Sequence, residues 1–268
     1  MTRSGTGDKL ERLLGAHRDL YTSLLHLCEE LAPQDWDLST GCPGWSVRDV
    51  VAHVVGVESV LAGDPEPDID LPDDLPHVKN EFAQYMERHV AARSQLSVAD
   101  LLLEARDVFS RRLGQVEAVA DLETELTGPM GSSAPAYRML PLRVFDMWAH
   151  EQDIRRATGR TGHLDGPAVD VSVDRIAKGL AVTLGRSEGL SGTTVIEVTG
   201  ERETTIGIDL EHGALADVTA PDVRLSMPFA DFVARVCGRS DAPGVDLVLI
   251  EGDRELADAV LSRFAITP

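Results

Sequence analysis

Residues 143–155 read RVFDMWAHEQDIR, and this stretch decides how the N-terminal part of the chain is interpreted. At about 100° per residue of an α-helix, four polar side chains fall on one narrow stripe: Arg143, Asp146, His150 and Asp153. Apolar residues flank the stripe on both sides. An amphipathic helix normally keeps its charged residues away from its apolar face. A charged stripe within the apolar arc therefore makes these four residues candidates for a functional site inside a helical bundle.

A second predicted helix places another histidine among apolar residues. His53 lies one turn after Val50 and one turn before Val57. On the helix predicted for residues 143–155, Asp146 and His150 are four residues apart and stand one above the other. Two imidazoles and a carboxylate in apolar surroundings need a common partner. The pattern predicts a divalent metal site with an open position, best suited to zinc but also to nickel or iron(II).

The same residues also allow a purely structural interpretation. Arg143, Asp146 and Asp153 would then form an internal ion-pair network, and the histidines would be hydrogen-bonded core residues. Under the metal interpretation, Asp153 is expected to orient the second ring nitrogen of His150. Glu151, on the opposite face of the helix, is expected to meet water. His17 and His89 also occupy apolar positions and are interpreted as core or rim histidines, with a fourth ligand or a proton shuttle as the alternative.

Hydrophobic periodicity predicts five helices over the first 160 or so residues, followed by a change of character. Pro33 ends the first helix, Ser46 caps the second, and Gly159 ends the fifth. One more helical stretch follows near 173–184. Beyond it, four strands are predicted, at 193–198, 204–210, 223–227 and 245–250. Two short helices are predicted at 229–237 and 255–264. We therefore expect an α+β fold with a helical bundle, residues 1–162, and a small α+β domain, residues 163–268.

Composition disfavours several classes of partner. The chain has 268 residues and a formal net charge of −20, which argues against nucleic acid and against anionic membrane surfaces. No apolar run approaches the ~18 residues of a membrane span. The N-terminal residues do not resemble a secretory signal, so a cytoplasmic location is expected. Three widely spaced cysteines predict neither a disulfide framework nor a cysteine-based zinc site. The sequence carries no signal for an oligomeric state.

Two segments resemble the signatures of a known family. Residues 40–53, TGCPGWSVRDVVAH, resemble the first signature of the mycothiol-dependent maleylpyruvate isomerase family, and residues 143–155 resemble the second. Residues 229–239 and 250–261 also fit the family. The resemblance covers nearly the whole chain. It implies a DinB-like four-helix metal-binding bundle followed by a small domain related to sterol-carrier proteins.

The resemblance also implies a site and a co-substrate. Residue by residue, the metal ligands are His53, Asp146 and His150, and the co-substrate is mycothiol, the small thiol of actinobacteria. The isomerases of this family are expected to carry Glu where this chain has Asp146, so the shorter arm predicts looser, water-bridged or absent ligation. Arg239, in the second domain, is the candidate catalytic cation for an anionic substrate; a surface arginine that closes a turn is the alternative.

Three functions remain open at this point. The first is an enzyme that uses a metal and mycothiol for S-transfer to, or cis–trans isomerisation of, an electrophilic small molecule. The second is a metal-dependent hydrolase in which bound water attacks. The third is a non-enzymatic protein that binds a small apolar ligand in its sterol-carrier-like domain.

Overall fold

The computed structural model describes residues 3–72 and 74–267, with the side chains of residues 3–6 excepted. Two compact units make up the chain, Met1–Ser172 and Val173–Pro268. The first is built mainly of helices and the second of strands with short helices, which confirms the predicted α+β class. Among the helices of the described ranges, none combines the length and the apolar character that crossing a membrane requires.

Within its described residues, the first unit is built from five α-helices and a short two-stranded ladder. The helices are α1 (Arg3–Glu29), α2 (Val47–Leu61), α3 (Glu81–Ala91), α4 (Val98–Glu117) and α5 (Ala136–Thr158). Both α1 and α2 pack against α4 and against α5, while α3 packs against α2. Strands β1 (Glu125–Thr127) and β2 (Ser133–Pro135) pair antiparallel just before α5. This arrangement brings α2 and α5 into direct contact.

Local chemistry fixes the ends of the two helices that carry the polar residues. The hydroxyl of Ser46 accepts a hydrogen bond from the backbone of Asp49, whose carboxylate accepts one from the backbone of Ser46. This reciprocal capping box confirms the predicted start of α2. Helix α5 ends at its C-cap residue Gly159, where φ is +66°. A left-handed residue at a helix end favours glycine because glycine has no Cβ.

Close approach of α2 and α3 depends on a glycine. A Cβ at Gly56 would lie 2.6 Å from the Cβ of His89, so a larger residue would push the two helices apart. The buried face of α2 is lined by valines, several of them with no exposed surface: Val47, Val50, Val54, Val55 and Val57. Burial of such branched side chains supplies most of the stability of a helix in a bundle.

The second unit is built around a five-stranded sheet. Its strands are β3 (Thr193–Thr199), β4 (Thr204–Asp209), β5 (Ala214–Leu215), β6 (Val223–Pro228) and β7 (Leu249–Gly252), in the spatial order β5-β4-β3-β6-β7. All neighbours are antiparallel except β3 and β6, which are parallel. Helices α7 (Phe229–Val236) and α8 (Arg254–Leu261) follow strands β6 and β7. Helix α6 (Pro167–Gly185) spans the division between the units.

The strand predicted at 245–250 is wrong at its N-terminal end. Val245–Leu247 form a 3₁₀ turn, and the strand runs from Leu249 to Gly252. The partner strand explains the difference, because the ladder of β6 and β7 ends where Ser226 pairs with Leu249. Two residues further along β6 lies Pro228, which has no N–H to donate and which begins the turn into α7.

Candidate metal centre

The structure brings the three predicted metal ligands together. His53 on α2 and Asp146 and His150 on α5 each offer one ligand atom, and these atoms lie within 4.8 Å of one another. The two imidazole rings meet edge to face, with their centroids 4.8 Å apart. Both histidines are buried, whereas 32% of the Asp146 side chain is exposed. The cluster therefore lies inside the unit, with its carboxylate on the side nearest to solvent.

The electrostatics of His53 fit a neutral ring. Burial lowers the pKa of His53 well below its usual value, the neighbouring His150 lowers the pKa further, and Asp146 raises the pKa by less. The Nδ1 atom of His53 is buried and has no hydrogen-bond partner among the described residues. A buried nitrogen without a partner is costly. A neutral imidazole with an unsatisfied nitrogen is what a metal-binding histidine requires.

The structural interpretation of the stripe is met in part: Arg143 pairs with Asp146 beside the histidines, whereas Asp153 pairs with Arg156. Arg143 donates to Asp146 at 3.0 Å and to Glu58 at 2.9 Å. Burial opposes the charge of Arg143, but the two carboxylates outweigh burial and raise the pKa of the guanidinium. Asp146 can thus face the two histidines while Arg143 balances part of its charge. The two interpretations of the stripe are therefore compatible.

Glu58 is one residue of this region that the sequence did not single out. Its carboxylate has no exposed surface and accepts hydrogen bonds from Tyr21, Arg112 and Arg143. Burial raises the pKa of Glu58, but the two guanidinium groups and the tyrosine hydroxyl outweigh burial and lower the pKa to about 2. A charged residue directly after Val57 on a valine-rich helix is the signal that could have revealed it.

A second set of contacts surrounds the Nδ1 atom of His150. Asp153 Oδ2 lies 3.2 Å from His150 Nδ1, as expected from the sequence. The thiol of Cys42 donates to the same oxygen at 3.1 Å, and Arg156 donates to Asp153 Oδ1 at 2.9 Å. The ligand atoms of Cys42, His150 and Asp153 also lie within 4.8 Å of one another. The contribution of Cys42 was not expected, because an isolated cysteine carries no spacing signal.

The loop before α2 covers the two histidines with an indole ring. The ring centroid of Trp45 lies 4.8 Å from that of His53 and 6.1 Å from that of His150. Trp45 Nε1 donates to Glu87 at 2.8 Å, and His77 Nε2 contacts the same carboxylate oxygen at 3.0 Å. These contacts hold the indole in place over the cluster.

The remaining predicted residues lie elsewhere. Arg239 follows α7 in the second unit and donates to the carbonyl of Cys237 at 2.7 Å; its catalytic role stays a prediction. His17 and His89 are fully buried, and burial lowers the pKa of each to about 4. Neither belongs to the ligand clusters of the described residues. Glu151, expected to meet water, is fully buried instead, where Ser23, Arg155 and His163 contact its carboxylate.

Comparison with known proteins gives a family and a fold. A family model described as the mycothiol maleylpyruvate isomerase N-terminal domain matches residues 17–155, a range that contains His53, Asp146 and His150. A solved mycothiol-dependent maleylpyruvate isomerase and a histidine-to-alanine mutant of it are each 18% identical, with TM-scores of 0.59 and 0.58. Each alignment covers 90% of this chain and 92% of the other. At this identity the likeness shows a shared fold.

Two further comparisons add little. A sterol carrier protein 2-like structure from Aedes aegypti is 17% identical and covers 35% of this chain and 97% of its own, at a TM-score of 0.29. That score is too low to support any argument about the second unit. No curated protein matches the chain significantly.

Proposed function

Because the chain belongs to the mycothiol maleylpyruvate isomerase N-terminal domain family, we propose that it is a metal- and thiol-dependent enzyme acting on an electrophilic small molecule. The thiol is mycothiol, and the product arises by cis–trans isomerisation or by S-transfer. One observation carries the proposal: the cluster of His53, Asp146 and His150 within the family-matched range. Similar solved proteins are named for mycothiol-dependent maleylpyruvate isomerisation, which supports the isomerase alternative.

The donor set fits a divalent cation. Two imidazole nitrogens and one carboxylate oxygen suit zinc, with nickel and iron(II) as alternatives. Three protein ligands leave a coordination position for a substrate atom, as in catalytic zinc sites. Two atoms bound to one zinc ion at ~2.1 Å cannot be more than about 4.2 Å apart. The ligand atoms of the cluster lie within 4.8 Å of one another, so metal binding would need at most a small adjustment of the side chains.

Each residue of the centre has a task in this proposal. His53 and His150 would supply nitrogen ligands, and Asp146 would supply a negative charge that Arg143 partly balances. Trp45 covers the two rings and limits the access of water. A divalent cation held by these residues would lower the pKa of an arriving thiol and so would favour the thiolate at neutral pH.

The carbon chemistry needs only the thiolate and the double bond. Addition of sulfur converts the electrophilic double bond into a single bond and places the electron pair on the activating group of the substrate. Rotation about the new single bond and expulsion of the thiolate then restore the double bond in the other geometry. If the adduct takes up a proton and leaves instead, the outcome is S-transfer.

We propose Arg239 as the cation for an anionic substrate.

Activity measurements on metal-depleted and zinc-loaded full-length protein test this proposal. The assay uses maleylpyruvate with and without mycothiol, and compares His53→Ala with His26→Ala, which alters an exposed histidine of α1. We expect turnover only when zinc and mycothiol are both present, and its loss in His53→Ala but not in His26→Ala. Turnover without thiol would indicate the hydrolase instead. Failure of the wild-type protein to bind any divalent metal would rule out the metal enzyme.

A further inference from the structure

The carboxylate of Asp153 collects donors from two separate parts of the first unit. Its Oδ2 atom lies 3.1 Å from Cys42 Sγ and 3.2 Å from His150 Nδ1, and its Oδ1 atom accepts from Arg156 at 2.9 Å. Asp153 is 1% exposed and Cys42 is 6% exposed. Because Cys42 belongs to the loop before α2 and the other three residues belong to α5, this carboxylate joins the loop to the helix.

These contacts decide where the proton of His150 resides. An ionised carboxylate can only accept hydrogen bonds, so a neutral His150 must carry its proton on Nδ1 to bond Asp153. The lone pair of the ring is then on Nε2, which is the nitrogen available to a cation. A carboxylate that holds a metal-binding histidine in this way sets both its tautomer and its ring orientation.

We propose that Cys42 is a positioning residue of the metal centre, acting through Asp153 on His150. The thiol shares Asp153 Oδ2 with His150 Nδ1 and thereby fixes both the carboxylate and the loop. The same loop carries Trp45, whose indole packs on His53. One hydrogen bond from Cys42 thus links the elements that present both histidines. The effect on metal binding rests on the proposed function, whereas the effect on the tautomer of His150 does not.

The geometry favours positioning over direct ligation by sulfur. The thiol proton and the Nδ1 proton are both engaged at Asp153 Oδ2, so neither donor needs a cation to satisfy it. Cys42 Sγ lies 3.9 Å from His150 Nδ1, farther than from the carboxylate. In the competing arrangement, Cys42, Asp153 and His150 themselves bind a soft metal. A titration with cobalt(II) distinguishes this ligation from positioning.

Titration of the full-length protein with cobalt(II) and zinc tests the metal-dependent part. The variants are Cys42→Ala and Cys42→Ser, with Cys28→Ala as the control because Cys28 is a buried thiol of α1 outside both ligand clusters of the described residues. We expect Cys42→Ala to weaken metal binding about tenfold, the lower end for outer-shell partners. Cys42→Ser, whose hydroxyl can donate to the same oxygen, should retain affinity within about twofold of the wild type. The cobalt absorption should change in the alanine variant alone.

Two results of the titration would overturn the proposal. A sulfur-to-cobalt charge-transfer band in the wild type that disappears in both Cys42 variants would make Cys42 a ligand. Unchanged affinity and unchanged cobalt absorption in Cys42→Ala would deny it any role. Thermal unfolding of each variant shows whether a loss of affinity reflects unfolding.

Nitrogen-15 NMR of the histidine rings in metal-free protein tests the remaining part. We expect the Nδ1–H tautomer of His150 in the wild type, a clear shift of its Nδ1 signal in Cys42→Ala, and recovery in Cys42→Ser. An Nε2–H tautomer in the wild type, or no difference between the variants, refutes the positioning role. This result is obtained even if the wild-type protein binds no metal, in which case the proposed function fails separately.

Discussion

Replacing Asp146 by asparagine separates the metal centre from the ion-pair network. Arg143 contacts both Asp146 and Glu58, but the two carboxylates differ in exposure. The Asp146 side chain is 32% exposed, so losing its pair with Arg143 should destabilise the fold by about 1 kcal/mol or less. The expected consequence is instead a loss of metal affinity by more than ~100-fold, since removal of a direct ligand exceeds the usual outer-shell effect.

Glu58→Gln is the matched variant, with the opposite expected result. The Glu58 carboxylate has no exposed surface, and its removal leaves Arg112 and Arg143 short of a countercharge. Loss of one partner of a buried pair costs about 3–5 kcal/mol. The pKa gives a similar figure, because a decrease from 4.5 to about 2 corresponds to about 3 kcal/mol at ~1.36 kcal/mol per pKa unit. We therefore expect Glu58→Gln to lower the free energy of unfolding while zinc binding by the folded protein changes little.

Urea unfolding and competitive zinc titration of both variants provide the comparison. The stability experiment uses metal-free protein, so that zinc does not contribute to the free energy of unfolding. The reasoning is refuted if Asp146→Asn destabilises the protein as much as Glu58→Gln does and leaves zinc affinity unchanged. That outcome would assign Asp146 to the ion-pair network alone.

Three further predictions follow from the same geometry. Because the folded-state pKa of Glu58 is lowered, this residue contributes stability above pH ~4.5 that is lost as the pH falls through about 2. In Glu58→Gln, the free energy of unfolding measured with urea should therefore depend less on pH over this range. Asp146→Glu, with one more methylene, should raise zinc affinity in a calorimetric titration, and a lower affinity would contradict the short-arm argument. Zinc should change the fluorescence of Trp45, which packs on His53, and Trp45→Phe should abolish the change; a persisting signal would place the responding indole elsewhere.

Local patterns in the sequence predicted the helices of the candidate centre and the three side chains that the structure brings together there. The spacing of Asp146 and His150 defines one face of α5 whatever surrounds it, and Ser46 and Gly159 mark helix ends through bonds to their own neighbours. His53 was identified because a polar residue interrupts a run of valines. Such signals need no knowledge of the tertiary fold.

Residues whose environment comes from distant parts of the chain were missed or misplaced. Glu151 was expected to meet water, but Ser23 of α1 and His163 beyond α5 enclose it. Cys42 reaches Asp153 across 111 positions of sequence. The start of the strand predicted at 245–250 is likewise set by its pairing with β6, which ends at Leu249. In each case the deciding contact is non-local, and helical or strand periodicity does not contain it.

X-ray absorption spectroscopy at the zinc edge of the loaded full-length protein tests the central claim most directly. We predict one zinc ion per chain, bound by two imidazole nitrogens and by oxygen at ~2.0–2.2 Å, without a sulfur shell at ~2.3 Å. Zinc should be absent from His53→Ala prepared in the same way. A spectrum dominated by sulfur, or equal zinc in the wild type and in His53→Ala, would contradict the account.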